Sequence, residues 1–347
     1  MLVRRSLHMR PTVLVTGGAG YIGSHSAYLL TQRGYNVVII DNLCQGQEWS
    51  ASWAPLVKSD IEDLTILEET FKHYNPVAVM HFAAFIEVGH SVQDPARFYH
   101  NNVSKTISLL QTMLKHNVNK FIFSSSCATY GKPQRLPLVE THQKNPVSPY
   151  GRTKMIIEMA LEDFNRAYGL EHVSLRYFNA AGALPEHGLG ERHNPESHII
   201  PLLLRAAENG NTFKIFGDDY PTPDGTCIRD YLHVLDIADA HCKALEYLLS
   251  GQKSDAFNLG SGQGHSVQEM IKEVELVTQA KIQTTSIKRR EGDPPVLIAD
   301  NSKAADVLGW VPQYSDIQNI LQSAYEFECS NDTFVANARN QNKQAEN

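Results

Sequence analysis

One glycine-rich segment sets the architecture of this chain: Thr16-Gly17-Gly18-Ala19-Gly20-Tyr21-Ile22-Gly23, between a short apolar run and a helical pattern. Glycines at this spacing permit a tight turn, let a pyrophosphate approach the backbone, and allow the helix to pack on its strand. Asp41 follows Gly23 by 18 residues and ends the next apolar run. A carboxylate there accepts hydrogen bonds from a ribose 2′-hydroxyl and repels a 2′-phosphate. The segment therefore predicts a site for NAD rather than NADP.

Short apolar runs alternate with helical patterns over the first half of the chain. This alternation predicts an α/β protein with a doubly wound parallel sheet of the Rossmann type and a smaller C-terminal α/β lobe. We predict an NAD-binding domain over 9–180, a substrate lobe over 181–330 and a disordered tail over 331–347. Some segments after 180 can also belong to the NAD-binding domain. Strands are predicted over 12–15, 37–41, 56–58, 78–83, 120–125 and 172–177, and helices over 22–33, 64–74, 95–116, 149–168, 199–209, 234–249, 267–279 and 302–308.

Composition and charge argue against several classes of protein. The 347 residues carry a net charge of −7 without a long run of lysine or arginine, which disfavours nucleic-acid and membrane partners. Five widely spaced cysteines without a Cys-x-x-Cys pair predict neither a disulfide framework nor a zinc site. We expect a cytoplasmic protein, because the sequence lacks the apolar stretch of a signal peptide and any run long enough to span a membrane.

Two further segments predict catalysis. An apolar strand ends in Ser124-Ser125-Ser126, and Tyr150-Gly151-Arg152-Thr153-Lys154 follows in a predicted helix. Tyrosine and lysine four residues apart share one face of a helix. A phenol has a pKa of about 10, and both Lys154 and a positive nicotinamide ring would favour its ionised form. We predict that Tyr150 is a general base, that Lys154 activates it, and that Ser126 hydrogen-bonds the reacting hydroxyl.

Motifs in both halves of the chain resemble those of the UDP-glucose 4-epimerases, within the extended short-chain dehydrogenase/reductase family. The resemblance covers about residues 11–328 and implies reversible oxidation at C4 of a UDP-sugar with NAD, through a transient 4-keto sugar that turns over in the pocket. It also implies exchange of UDP-glucose and UDP-galactose, a place in galactose metabolism and a homodimer. Besides the glycine segment, the matching motifs are Asp41-Asn42-Leu43, Ser148-Pro149-Tyr150-Gly151, Arg176-Tyr177-Phe178-Asn179, Ile215-Phe216-Gly217-Asp218-Asp219-Tyr220-Pro221-Thr222, Arg229-Asp230-Tyr231 and Arg290-Glu291-Gly292-Asp293.

The resemblance also implies a set of binding residues. For the UDP-sugar, arginines can meet the pyrophosphate in forked geometry, an aromatic ring can cover uracil, and a carboxylate can accept from ribose hydroxyls. The candidate cofactor residues are Gly17, Gly20, Tyr21, Ile22, Gly23, Asp41, Asn42, Asp60, Ile61, Phe82, Ala83, Ala84, Asn101, Ser124, Tyr150, Lys154 and Tyr177. The candidate substrate residues are Ser126, Tyr150, Asn179, His198, Ile199, Phe216, Arg229, Arg290, Asp293 and Leu297.

Two positions depart from or vary within the family pattern. Ile86 stands where many members place a lysine near the nicotinamide ribose, so no cofactor role is assigned to it. Leu297 stands where the residue size limits the C2 substituent of the sugar. Because leucine is smaller than the tyrosine of some members, we hypothesise that UDP-N-acetylhexosamines are also accepted.

Other activities were weighed against epimerisation of a hexose. Dehydration needs an Asp-Glu pair where this chain has Cys127-Ala128, and decarboxylation of a UDP-sugar acid is disfavoured in the same way. A UDP-arabinose and UDP-xylose 4-epimerase is the runner-up, and a non-catalytic nucleotide sensor is disfavoured by the retained Ser126, Tyr150 and Lys154. No metal site is predicted, because His187, His193 and His198 fit no zinc spacing and are expected in a solvated loop.

Overall fold

A computed structural model describes residues 10–290 and 292–330, so the tail predicted to be disordered lies outside the described residues. No helix in those two ranges is long and apolar enough to cross a membrane. The helices are α1 (Tyr21–Gln32), α2 (Leu64–Tyr74), α3 (Val88–Gln93), α4 (Pro95–Tyr99), α5 (Lys105–Lys115), α6 (Pro149–Tyr168), α7 (Ile199–Asn209), α8 (Val234–Leu249), α9 (Val267–Thr278) and α10 (Ser302–Leu308), followed by a helix over 317–330.

The strands divide between one large sheet and three small ones. They are β1 (Thr12–Thr16), β2 (Asn36–Asp41), β3 (Leu56–Lys58), β4 (Ala78–His81), β5 (Lys120–Ser124), β6 (Glu171–Tyr177), β7 (Asn179–Ala181), β8 (Phe213–Phe216), β9 (Ile228–Arg229), β10 (Tyr231–His233), β11 (Asp255–Leu259), β12 (His265–Ser266), β13 (Thr284–Ile287) and β14 (Val296–Leu297).

The large sheet has seven strands in the order β11-β6-β5-β4-β1-β2-β3, and every neighbouring pair is parallel. Side chains alternate between its two faces, as a strand period of two requires. Val13 and Val15 of β1 pack in the core under α1 and α8. Leu14 packs in the opposite core with α2, α5 and α6. The predicted doubly wound parallel sheet is confirmed.

The winding of the sheet reverses beside β1. This strand lies between β2 and β4, so the chain builds outward on one side through β3 and on the other through β5 and β6. Such a reversal opens a crevice at the carboxyl ends of the strands, where ligands bind in open α/β sheets. The last strand of the sheet, β11, comes from the segment predicted as the substrate lobe and pairs with β6. The boundaries at 180 and 181 stay a prediction.

One predicted helix is interrupted. The expected helix over 95–116 consists of α4, a π-helical turn over His100–Ser104, and α5. The turn contains Asn102, whose buried side chain is hydrogen-bonded to both backbone groups of Phe85, at 2.9 Å each. The prediction of one regular helix was wrong because this contact draws an inward-facing residue out of the α-helical register, and π-turns are frequent at functional sites.

A separate core supports the smaller sheets. Leu203 of α7, Met270 of α9 and Leu321 of the helix over 317–330 belong to one buried cluster. The small sheets are β7 with β10, β8 with β13, and β9 between β12 and β14. Since β7 follows β6 directly and β9 leads into β10, this lobe is joined closely to the carboxyl edge of the large sheet. Substrate candidates on β9 and β14 are thereby held near the crevice.

Candidate active site

The glycine turn after β1 forms a cradle with no room for side chains. Gly17 has a φ of +69°, and a Cβ added there would lie 2.6 Å from the Ala83 backbone nitrogen. A Cβ on Gly23 would lie 2.2 Å from the Gly17 carbonyl oxygen. Gly20 precedes α1 and provides no side-chain cap, so among the described residues the first amides of that helix have no capping side chain. Uncapped amides at a helix N-terminus suit phosphates.

Asp41 lies beside this turn at the end of β2. Its Oδ2 accepts a hydrogen bond from the Ala19 backbone nitrogen at 3.0 Å, and its Oδ1 accepts one from Leu43 at 2.8 Å. Burial raises the pKa of the carboxyl, while these two amides oppose the rise. Each carboxylate oxygen can accept a further hydrogen bond. Asp41 can therefore accept hydrogen bonds from ribose hydroxyls while it also holds the glycine turn.

The cofactor candidates Asp60 and Ile61 follow β3. Asp60 Oδ2 accepts from Lys105 Nζ and from Asn42 Nδ2, both at 2.8 Å. The Ile61 side chain is buried in the core beneath the sheet. The structure thus brings Asp60 and Asn42 together, whereas the Ile61 side chain packs in the core.

The loop after β4 closes the opposite side of the glycine turn. Phe82 donates its backbone N–H to Thr16 at 2.9 Å, and Ala83 contacts Gly17, with Ala84 next in the chain. Asn101 Nδ2 donates to Asn102 Oδ1 at 3.0 Å. Asn102, which the sequence analysis missed, anchors this loop. Two consecutive asparagines gave no signal to decide which of them faces inward.

The predicted catalytic residues gather at the end of β5. Lys154 Nζ donates to the Ser124 carbonyl oxygen at 2.7 Å, and Ser124 Oγ contacts the Tyr177 hydroxyl. Ser126 caps the short turn over Cys127–Thr129. Ser126, Tyr150 and Lys154 are all buried, so the three groups share one desolvated site.

Helix α6 positions this site from its first turn. Ser148 Oγ accepts from the Gly151 backbone nitrogen at 3.2 Å, and Pro149 occupies the first helical position. The cap and the fixed φ of proline define where the helix begins. Tyr150 and Lys154 consequently enter the site one turn apart on the same face.

The electrostatics differ from the predicted activation of Tyr150. Burial raises the pKa of Tyr150 well above its ordinary value, Tyr177 adds to the rise, and Ser126 opposes it. Burial lowers the pKa of Lys154 to about 7, while Glu158 opposes that change. Lys154 Nζ donates to the Ser124 carbonyl oxygen, and burial is the main influence on the pKa of Tyr150, so the role of Lys154 in favouring the phenolate stays a prediction. A positive nicotinamide ring beside Tyr150 would lower the pKa of its phenol.

The candidates from the smaller lobe form two pairs. Arg229 Nη2 donates to Asp293 Oδ1 at 2.6 Å, and Arg290 lies over the Phe216 ring with its Cζ 4.1 Å from the centroid. Asp293 also accepts from the Tyr220 hydroxyl at 3.3 Å. A guanidinium, a carboxylate and an aromatic face are thus grouped on one surface, as recognition of a nucleoside diphosphate requires.

Two other substrate candidates link this surface to the catalytic end of β5. Leu297 of β14 pairs in register with Arg229 of β9 and packs in a small cluster that includes Cys127. Asn179 of β7 donates its side-chain amide to the Asp230 carbonyl oxygen at 2.8 Å. Leu297 and Cys127, the residue after Ser126, therefore pack against the same cluster.

His198 and Ile199 mark the start of α7, where His198 is the N-cap residue. His198 Nδ1 contacts Glu191 Oε1, and His193 Nδ1 lies 3.3 Å from the same oxygen. The expectation that these histidines lie in a solvated loop holds for the His198 side chain, which is 46% exposed. It was wrong for His193, whose side chain is only 14% exposed beside the buried Glu191. His187 is separate from them and is hydrogen-bonded to the Tyr28 hydroxyl at 2.8 Å.

Comparison with known proteins assigns the class. A family model described as the NAD dependent epimerase/dehydratase family matches residues 13–260, and the chain belongs to that family. A UDP-glucose 4-epimerase from Rhizobium leguminosarum bv. trifolii is 52% identical over 317 residues, which are 91% of this chain and 97% of the relative. Its relatives at this level of identity place the chain among the UDP-glucose 4-epimerases. The predicted family and the predicted NAD dependence are confirmed.

Solved structures agree with this assignment. A UDP-glucose 4-epimerase from Brucella ovis in complex with NAD has a TM-score of 0.89 at 49% identity, over 91% of this chain and 97% of that one. A second structure, from Stenotrophomonas maltophila with bound NAD and formylated UDP-arabinopyranose, has a TM-score of 0.90 at 37% identity, over 93% and 99%. The chain shares their fold over more than nine tenths of its length.

Proposed function

We propose that this protein interconverts UDP-glucose and UDP-galactose at C4 of the sugar. The observation that supports this most directly is the placement of Ser126, Tyr150 and Lys154 in one buried site at the crevice of an NAD-binding sheet. Tyr150 would take the proton of the 4-hydroxyl and later return it, and Ser126 would hold that oxygen. When bound, NAD supplies the reversible oxidation of C4 and a positive charge beside Tyr150.

The residues present fit both ligands. The closed glycine cradle at Gly17 and Gly23, the uncapped start of α1 and Asp41 would hold the dinucleotide, together with the other cofactor candidates. Arg229 and Arg290 would hold the pyrophosphate, Phe216 would cover the uracil, and Asp293 would accept from ribose. The Arg229–Asp293 ion pair keeps the guanidinium oriented before the substrate arrives.

We further propose a homodimer, a place in galactose metabolism and a cytoplasmic location. Val92 of α3 is 63% exposed and Met159 of α6 is 53% exposed, while α3 and α6 pack side by side. An apolar surface of this kind is a candidate for covering by a second copy of the chain. Pentose epimerisation is not proposed, because the relative from Rhizobium leguminosarum described above is named as a UDP-glucose 4-epimerase.

The function is tested by incubating the purified protein with UDP-galactose and reading UDP-glucose by NMR. Tyr150→Phe should reduce turnover by about 100-fold or more, which is the size of a lost general base. Tyr168→Phe is the matched control on the same helix, since Tyr168 is exposed and lies far from the site along α6. Turnover that survives in Tyr150→Phe would refute the assigned role.

A further inference from the structure

Two glutamates and two histidines cluster in the segment before α7. One potential ligand atom each from Glu191, His193, Glu196 and His198 lies within 4.8 Å of the other three. We propose that these four side chains bind one divalent transition-metal ion of the zinc class, and that the ion joins this segment to the start of α7. The inference goes beyond the proposed epimerase activity and does not depend on it.

The size of the cluster suits a single ion. Zinc–ligand bonds of about 2.0 Å in a tetrahedron place neighbouring ligand atoms about 3.3 Å apart. His193 Nδ1 lies 3.3 Å from Glu191 Oε1 and 3.8 Å from Glu196 Oε1. His198 Nδ1 contacts Glu191 Oε1 from the other side. Four potential ligand atoms within 4.8 Å of one another lie close enough to share one ion.

Glu196 provides an independent indication that a ligand is needed. Its side chain is only 2% exposed, and within the described residues its Oε2 atom has no hydrogen-bond partner. Arg205 Nη2 lies 4.0 Å from that atom. The other oxygen, Oε1, accepts the backbone N–H groups of Ser197 and His198 at 2.8 and 2.9 Å. A buried carboxylate oxygen without a partner is costly, and a cation would satisfy it.

His193 gives the same indication from the opposite side of the cluster. Its Nδ1 atom is buried and, among the described residues, makes no hydrogen bond of acceptable geometry. The atom nevertheless faces two carboxylates. An imidazole nitrogen that faces two carboxylate oxygens lies where a metal ion could be bound by all three groups.

The donor set selects the class of metal. Calcium and magnesium prefer oxygen ligands throughout, whereas two imidazole nitrogens with two carboxylates suit zinc and its neighbours in the first transition row. The ligands span 191–198, so an ion would join the loop to the first turn of α7. It would hold His198 by Nδ1 and leave Nε2 for other contacts. The alternative arrangement is a pair of imidazolium–carboxylate ion pairs without metal.

Metal content distinguishes the two arrangements. The full-length protein is loaded with zinc, freed of excess by gel filtration, and measured by mass spectrometry of the metal. We expect about one zinc per chain in the wild type and less than about a tenth in His193→Gln/Glu196→Gln. His187→Gln is the matched control, because this histidine lies in the same loop but is bonded to Tyr28. It should retain the metal.

Cobalt substitution and a milder variant complete the test. Cobalt in the wild-type protein should show the intense visible absorption of a tetrahedral site with nitrogen and oxygen ligands. If the double variant fails to fold by circular dichroism, His198→Gln decides the question, with zinc affinity lowered by at least about 10-fold. Zinc should also raise the melting temperature of the wild type but not of the double variant. A wild type that retains no more zinc than the folded ligand variants refutes the proposal, as does full occupancy in those variants.

Discussion

Arg176 holds Glu158 through two hydrogen bonds in the protein interior, from Nε to Oε1 at 2.9 Å and from Nη2 to Oε2 at 2.7 Å. Ser125 Oγ donates to Oε1 at 2.6 Å and Lys144 Nζ donates to Oε2 at 3.0 Å. Glu158 is therefore fixed one helical turn beyond Lys154 on α6. The sequence analysis missed it, although a carboxylate four residues after a predicted catalytic lysine is a signal that a helical wheel shows.

Glu158→Gln should change the pH dependence of turnover. Glu158 raises the pKa of Lys154 against the effect of burial, which lowers it to about 7. Without that carboxylate the pKa falls further, so Lys154 loses its proton at lower pH. We expect the alkaline limb of the pH–rate profile to move down by about one unit. The profile of the holoenzyme is measured with UDP-galactose over the range in which both proteins stay folded.

A second variant separates this effect from loss of stability. Glu158→Gln leaves Arg176 buried without its charge partner, which typically costs about 3–5 kcal/mol. Glu158→Gln/Arg176→Met removes both charges and should recover much of the free energy of unfolding in urea. It should keep the altered pH profile. If stability and profile recover together, Glu158 acts only on the fold and not on Lys154.

Lys154→Met should alter how stability depends on pH. The folded protein holds Lys154 with a pKa of about 7, because of burial, against an ordinary value of 10.5. Between these values the unfolded chain binds a proton that the folded chain does not, so the wild type gains stability relative to Lys154→Met as pH rises. Urea denaturation of the cofactor-free proteins at about pH 6 and about pH 9.5 should show this change. A constant difference between the two proteins would contradict the lowered pKa.

Gly17→Ala should remove bound NAD. Gly17 has a φ of +69°, and its Cβ would lie 2.6 Å from Ala83. Gly169 has a φ of +70° with no described atom within 4 Å of the added Cβ. Gly169→Ala therefore carries only the backbone cost of about 1–2 kcal/mol, and the difference between the variants measures the clash. NAD content by absorbance should be low in Gly17→Ala and normal in Gly169→Ala.

The sequence analysis missed β11 but predicted the other six strands of the large sheet, most of which are buried on both faces. Such strands are short apolar runs, and glycine, proline and capping residues mark the ends of their helices. The prediction of α6 over 149–168 coincides with the observed helix Pro149–Tyr168. The π-turn at Asn102 could not be predicted, since it depends on the Phe85 backbone 17 residues away. Local periodicity carries no information about such a contact.

The catalytic pair and the substrate-binding residues of the candidate site also differed in how far local sequence could predict them. The Tyr150–Lys154 pair could be read from helical spacing, whereas Arg229 with Asp293 and Arg290 with Phe216 came from family resemblance, because β9, β8 and the segment after β13 meet only in three dimensions. The Glu191–His198 cluster was missed for a local reason. Zinc spacing was sought among histidines alone, and the two glutamates between and before them were left out.

Leu297 should admit an N-acetyl group at C2 of the sugar. It packs in the cluster that includes Cys127, the residue after Ser126, so its size bears on the space beside the reacting sugar. We expect the wild type to convert UDP-N-acetylglucosamine as well as UDP-galactose. Leu297→Tyr should reduce turnover of the N-acetyl sugar by at least about 10-fold and that of UDP-galactose much less, since a filled pocket excludes only the larger substituent. Leu297→Met, which nearly conserves volume, is the control. Wild-type protein that rejects both UDP-N-acetyl sugars while converting UDP-galactose would show that another residue sets this limit.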